Sequence, residues 1–158
     1  MTVQTISDWA EIYQLKSAYG WHYDTPDLDA LVDLYTDDAV CVFGPYGTWN
    51  GKAEIRDGFA ANVGASDNRF PSLHTFANPM ISIDGDQATG QWYLMDFVLT
   101  GAGADPVLRV MGVYHERYQR MATGWRIARM ELTFLWNSDV GRIQPGEERR
   151  LEWHADAA

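Results

Sequence analysis

Apolar residues return every three or four positions through the first third of the chain and every second position after it. Trp9, Ile12, Leu15 and Tyr19 share one helical face, which predicts a helix over about 7–23. Thr5 through Asp8 has the T-x-x-D spacing of a capping box, with Asp standing for the longer Glu. Thr25-Pro26-Asp27 ends this helix, because a residue before proline avoids the helical region. Asp27 then caps a short second helix carrying Leu28, Leu31 and Tyr35. Ala39 to Phe43 reads as a strand stopped by Gly44-Pro45-Tyr46-Gly47, and Ile55, Phe59 and Val63 give a third helix after Gly51.

The remainder reads as strand. Leu73–Phe76 and Met80–Ile83 form two short segments separated by Asn78-Pro79, and Asp84-Gly85-Asp86 makes a hairpin turn. Two long runs follow, Ala88–Thr100 and Leu108–Met121, and Thr123-Gly124 turns into Trp125–Trp136. Helices first and an antiparallel meander afterwards define the α+β class. The expected form is a strongly curved antiparallel sheet with the N-terminal helices on its concave face, a cone-shaped α+β barrel. A conical pocket remains where the helices fail to fill the widening end. Residues 1–136 form the pocket domain, and 137–158 form a C-terminal extension.

Composition narrows the function. The 158 residues suffice for one domain with a real core. Twenty-two acids against 12 bases give a net charge of −10, which argues against nucleic acid or an anionic membrane as partner. The charge is uneven: residues 1–40 hold eight acids and one lysine, and residues 106–130 hold five arginines and one glutamate. Cys41, the single cysteine, lies in an apolar run and reads as a buried structural thiol. The chain shows no basic, apolar leader and no window of the 18 or so apolar residues a membrane span needs, so a cytoplasmic protein is expected. Seven Trp, eight Tyr and six Phe point to a cavity for a flat apolar ligand. G-x-G-x-x-G before a helix, a Walker loop, a G-x-S-x-G elbow and H-x-x-x-H spacing are all missing, so no cofactor or metal is expected.

Three residues stand out against this background. Asp24 closes the first helix, where the macrodipole disfavours a negative charge, so it needs a partner such as a histidine. His74 lies in a short strand ahead of the proline, and an aspartate would orient its imidazole as a base near neutral pH. Asp96 shares strand parity with Trp92 and Leu94, which makes it either a solvated break in the pattern or a buried acid with a raised pKa. Arg129 alternates with Ile127 and Trp125, which makes it either exposed strand charge, as for Arg109, Arg117 and Arg126, or an inward group aimed at an oxyanion or leaving group. The opposite parity, Tyr93, Met95, Phe97 and Leu99, is an apolar stripe that a homodimer or homotrimer would cover.

Together these residues resemble a known family. Asp8-Trp9, Asp29-Ala30-Leu31, Leu34-Tyr35-Thr36-Asp37-Asp38-Ala39-Val40, Gly51-Lys52-Ala53-Glu54-Ile55-Arg56, Asn78-Pro79-Met80-Ile81 and Gly124-Trp125-Arg126-Ile127 look like the SnoaL-like branch of the nuclear-transport-factor-like superfamily. Within it the chain resembles the cofactor-free lyases scytalone dehydratase, bile acid 7α-dehydratase and hexachlorocyclohexane dehydrochlorinase. The resemblance implies that His74 and Asp24 form a proton-abstracting dyad, with Asp96 and Tyr23 as further catalytic groups. It also implies that Tyr19, Phe43, Tyr46, Trp49, Phe76, Trp92, Tyr114 and Arg129 contact a small hydrophobic substrate. The expected activity is dehydratase-type elimination on a polycyclic, polyketide or aromatic compound. Double-bond isomerisation, cyclisation and a non-catalytic binding or dimerisation role on the same scaffold stay open.

Overall fold

The computed structural model describes residues 3–63, 72–99 and 105–144. Three helices, α1 (Val3–Asp24), α2 (Leu28–Asp33) and α3 (Gly51–Val63), precede most of the sheet. Its strands are β1 (Tyr35–Val42), β2 (Thr48–Asn50), β3 (Ser72–Asp84), β4 (Gln87–Val98), β5 (Val107–Met121), β6 (Gly124–Asn137) and the short β7 (Gly141–Arg142). The strand order is β2-β1-β6-β5-β4-β3, with β7 on β6. The α+β class and the helices on one face of a large curved sheet are as the pattern predicts. The sheet is mixed rather than antiparallel, because β1 runs parallel to β6, with Cys41 beside Met130. A purely antiparallel meander would leave β1 no place beside the last long strand, and the helical connection from β1 to β3 frees it to take one.

Helix α1 starts earlier than its capping signal. Asp8 is buried one turn inside the helix, where it accepts from Gln4 and forms an ion pair with Arg120 of β5 at 2.6 Å. A carboxylate held by a guanidinium is not available to cap, so this pair instead ties α1 to the sheet. Asp27 does cap α2, accepting from the Ala30 amide at 3.1 Å. Ile12, Leu15 and Tyr19 of α1, Leu31 of α2 and Ile55 and Phe59 of α3 meet inward residues of every long strand. Burying each such large side chain contributes about 1.5–3 kcal/mol.

Bulges in the long strands set which side chains face this core, and three of them bear on the candidate residues. β3 is one strand, not two: Asn78-Pro79 makes a bulge, with Asn78 at φ 51°. The extra residue switches the inward parity from His74 and Phe76 to Ile81 and Ile83. A second bulge at Arg109 lies opposite Asp96 and Phe97, and a third inserts Ala128 into β6. Beyond β6, Ile143 is 3% exposed and β7 pairs with Trp136 and Asn137, so the chain stays in the sheet layer to that point. Residues 145–158 of the expected extension lie outside the described residues. No described helix is long and apolar enough to cross a membrane.

Candidate active site

The close approach of α1 to β3 begins at Gly20. A Cβ there would stand 2.7 Å from the Phe76 ring and 3.6 Å from the His74 carbonyl, so only glycine lets the helix come this near. One turn later Asp24 reaches β3. Its Oδ2 accepts from the His74 backbone amide at 2.9 Å, and its Oδ1 lies 2.7 Å from His74 Nδ1. The Ser72 hydroxyl adds a longer bond at 3.5 Å. These donors offset the unfavourable helix end that the carboxylate occupies. In the neutral ring they also set the tautomer: Nδ1 carries the proton that Asp24 accepts, and the lone pair is on Nε2.

Asp96 sits directly across the β3–β4 ladder from His74. Its Oδ1 is buried and has no hydrogen-bond partner among the described residues. Burial pushes its carboxyl above the usual 3.8, the charges of His74 and Arg109 pull it back, and Asp24 pushes it up again. The inward alternative for Asp96 is therefore the one that the structure realises.

Aromatic rings enclose the pair. The Tyr23 ring lies 4.4 Å from the His74 ring, and the Phe76 ring lies 6.3 Å from it. Tyr19 touches Tyr23, Phe59, Phe76 and Tyr114, and its hydroxyl is 3.3 Å from that of Tyr114. Phe43 and Trp49 meet edge to face at 5.0 Å and both pack on Phe59. Tyr46 packs at a tilt against Phe134 and is felt electrostatically by Tyr23. Burial raises the phenols of Tyr19, Tyr23, Tyr46 and Tyr114, so all are neutral hydrogen-bonding groups at neutral pH.

Two expected contact residues lie elsewhere. Trp92 is inward but deeper, where its indole donates to the Tyr118 hydroxyl at 2.8 Å and meets Tyr13 of α1. Four residues of β4, roughly 13 Å of strand, separate it from Asp96. Arg129 is on the outer face, not the inner one. The Ala128 bulge restarts the alternation, so Met130 takes the inward position and Arg129 bonds Glu131 at 2.8 Å.

The sequence pattern missed other groups. Arg109 is brought near Asp96, Tyr23 and Tyr46 by its bulge, which no periodicity signals. Lys16 and Glu116 form a fully buried ion pair at 2.5 Å, and Glu116 also accepts from the Tyr118 hydroxyl. The Lys16 ammonium lies over the rings of Tyr114, Phe76 and Tyr19, at 3.5, 4.2 and 4.6 Å. Burial lowers its pKa to about 8, with Glu116 acting to hold it up. A signal was present here: Lys16 falls between Ile12, Leu15 and Tyr19 on the buried stripe, and Glu116 shares parity with Tyr114 and Tyr118. Among the described residues, no group of three or more His, Cys, Asp or Glu is arranged to hold a metal ion.

None of the curated proteins matches this chain. A solved structure from Novosphingobium aromaticivorans, provisionally named an aromatic ring hydroxylase, is 29% identical over 82% of this chain and 90% of its own, with a TM-score of 0.70. A provisionally named scytalone dehydratase from the same species is 16% identical, covers 92% of this chain and 98% of its own, and has a TM-score of 0.78. An NTF2-like protein with a cystatin-like fold, also from that species, is 21% identical over 96% and 93%, with a TM-score of 0.74. The model of the SnoaL-like domain matches residues 4–131, and the chain belongs to that family.

Proposed function

We propose that the protein is a lyase that removes a proton with His74 and expels water from an aromatic or polycyclic substrate. The observation that carries this reading is the dyad itself. Asp24 holds His74 Nδ1 at 2.7 Å, which leaves Nε2 as a base among aromatic rings and opposite Asp96, whose buried Oδ1 has no hydrogen-bond partner among the described residues. Nε2 takes a proton from carbon next to a carbonyl, and the electron pair forms the new double bond as the neighbouring C–O bond breaks. Asp96, protonated, gives its proton to the departing oxygen, which leaves as water. The imidazolium then returns its proton to Asp96 across the ladder, and the site is restored. The substrate gains an alkene and loses one water.

Rings from Tyr19, Tyr23, Phe43, Trp49 and Phe76 supply flat apolar walls. The provisional names of two relatives fit in different respects, one a dehydratase and the other concerned with aromatic rings. Isomerisation would use the same base without departure of water. The test is deuterium incorporation into 2-tetralone, a cyclic aryl-fused ketone with acidic C–H bonds. The wild-type protein is expected to speed exchange, and His74→Gln to lose about 10²–10⁴-fold of that effect with the fold intact by circular dichroism. Full exchange activity in a folded His74→Gln protein would overturn the proposal.

A further inference from the structure

The outer face of the sheet has two halves. One is apolar, with Leu73, Tyr93 and Met111 exposed. The other holds a groove of about 840 Å³ that runs across β3 to β6 and contains none of His74, Asp24 or Asp96. Its side chains come in two rows set by strand register. Thr89, Arg117 and Arg129 are direct neighbours in one row, and Gln91, His115 and Glu131 in the next.

Arg117 and Arg129 therefore face each other on adjacent antiparallel strands. Like charges in directly opposite positions oppose folding. Glu131 offsets Arg129 alone, and no acid pairs with Arg117 among the described residues. Around these two guanidiniums stand further donors, the Thr89 hydroxyl, the Gln91 amide and the His115 ring, and of the two glutamates in the lining Glu116 turns its carboxylate away to Lys16 and Tyr118, which leaves Glu131 beside the arginines. The β3 edge is different: Met80 is 72% exposed there. Donors at one side and an apolar edge at the other define an amphiphilic ligand. Guanidinium forks match carboxylate and phosphate oxygens in pairs.

We propose that this groove binds an organic oxyanion, with a carboxylate or phosphate head between Arg117 and Arg129 and an apolar body against Met80. Such a site is separate from the concave face and independent of the chemistry proposed there. It places a small acid on the back of the strands that carry Asp96 and Tyr114, and it neutralises a charge pair that the chain otherwise leaves opposed.

The probes are benzoate and phenyl phosphate, with benzamide as the neutral control, titrated into the full chain by calorimetry and by amide chemical shifts. Saturable binding of at least one anion and none of benzamide is expected, with shifts on outer-face amides of β4–β6. Arg117→Gln should weaken it about tenfold, the loss of one charge-assisted contact. Which anion binds more tightly separates a carboxylate site from a phosphate site. His74→Gln should leave it unchanged, so this result does not depend on the elimination chemistry. No saturable binding overturns the inference, as does binding that Arg117→Gln leaves intact or that shifts amides only around His74. A second copy of the chain covering the groove, seen as an oligomer that Arg117→Gln dissociates and benzoate does not, also overturns it.

Discussion

Two clusters of ionisable groups lie between the helices and the sheet, and their hydrogen bonding differs. Deep along β4 and β5, the Lys16 ammonium is met by Glu116 and three ring faces, and Tyr118 both donates to Glu116 and accepts from Trp92. Every charge there has a partner. Toward the other end of β4, beside β3, Asp24 engages only Nδ1 of the His74 ring, and Asp96 Oδ1 has no hydrogen-bond partner among the described residues. Burial is common to both clusters, so burial alone does not mark a site. The closed cluster behaves as scaffold, and the open one has bonding capacity left for a ligand.

The sharpest break of this contrast is in the closed cluster. Glu116→Ala leaves a buried ammonium without its counter-charge and should cost about 3–5 kcal/mol, measured by chemical denaturation. The double variant Lys16→Met with Glu116→Leu should recover most of that loss, since a well-packed apolar pair of similar volume can replace a buried ion pair. An equally unstable double variant would mean that the pair does more than satisfy itself. A smaller effect is expected at the seam between helix and strand. Gly20→Ala drives a methyl into Phe76 and should cost about 1–2 kcal/mol, the overpacking penalty less the gain in helix propensity. Because the seam positions Asp24, tetralone exchange should fall with it, and unchanged exchange would separate the two.

The smallest effect has the opposite sign. Asp96 is held above its unfolded pKa of 3.8, so the folded state binds this proton more tightly than the unfolded chain does. Its contribution favours folding at acidic pH and is lost as pH rises through the folded value. Asp96→Asn should therefore stabilise the protein near pH 7 and not at pH values below 3.8, while removing the proton donor. Thermal melts across this range check the sign. A stabilised but less active variant would place Asp96 with the open cluster.

Much of this was legible in the chain. Periodicity in α1 named Ile12, Leu15 and Tyr19, and strand parity in β4 named Trp92, Leu94 and Asp96. Asp24 was suspect because a carboxylate is misplaced at a helix end, and its donors explain how it is tolerated there. What stayed hidden came from insertions of single residues. Ala128 turned Arg129 outward, and Arg109 was brought toward Asp96, because a bulge changes parity without changing composition. The parallel seat of β1 beside β6 was equally unreadable, since pairing between distant segments leaves no local signal.

That seat has a consequence for how the molecule is made. Tyr35 pairs with Ile127, and the Ile127 amide donates to the Leu34 carbonyl, joining opposite ends of the domain. Until β6 has been synthesised, β1 has only the three-residue β2 beside it. Contacts this distant in sequence form only after the intervening chain has closed. The helices and β1 must therefore wait, apolar faces uncovered, while the strands from β3 onward leave the ribosome. A chain ending before Trp125 would lack the strand beside which Cys41 packs, which makes truncated forms prone to aggregate.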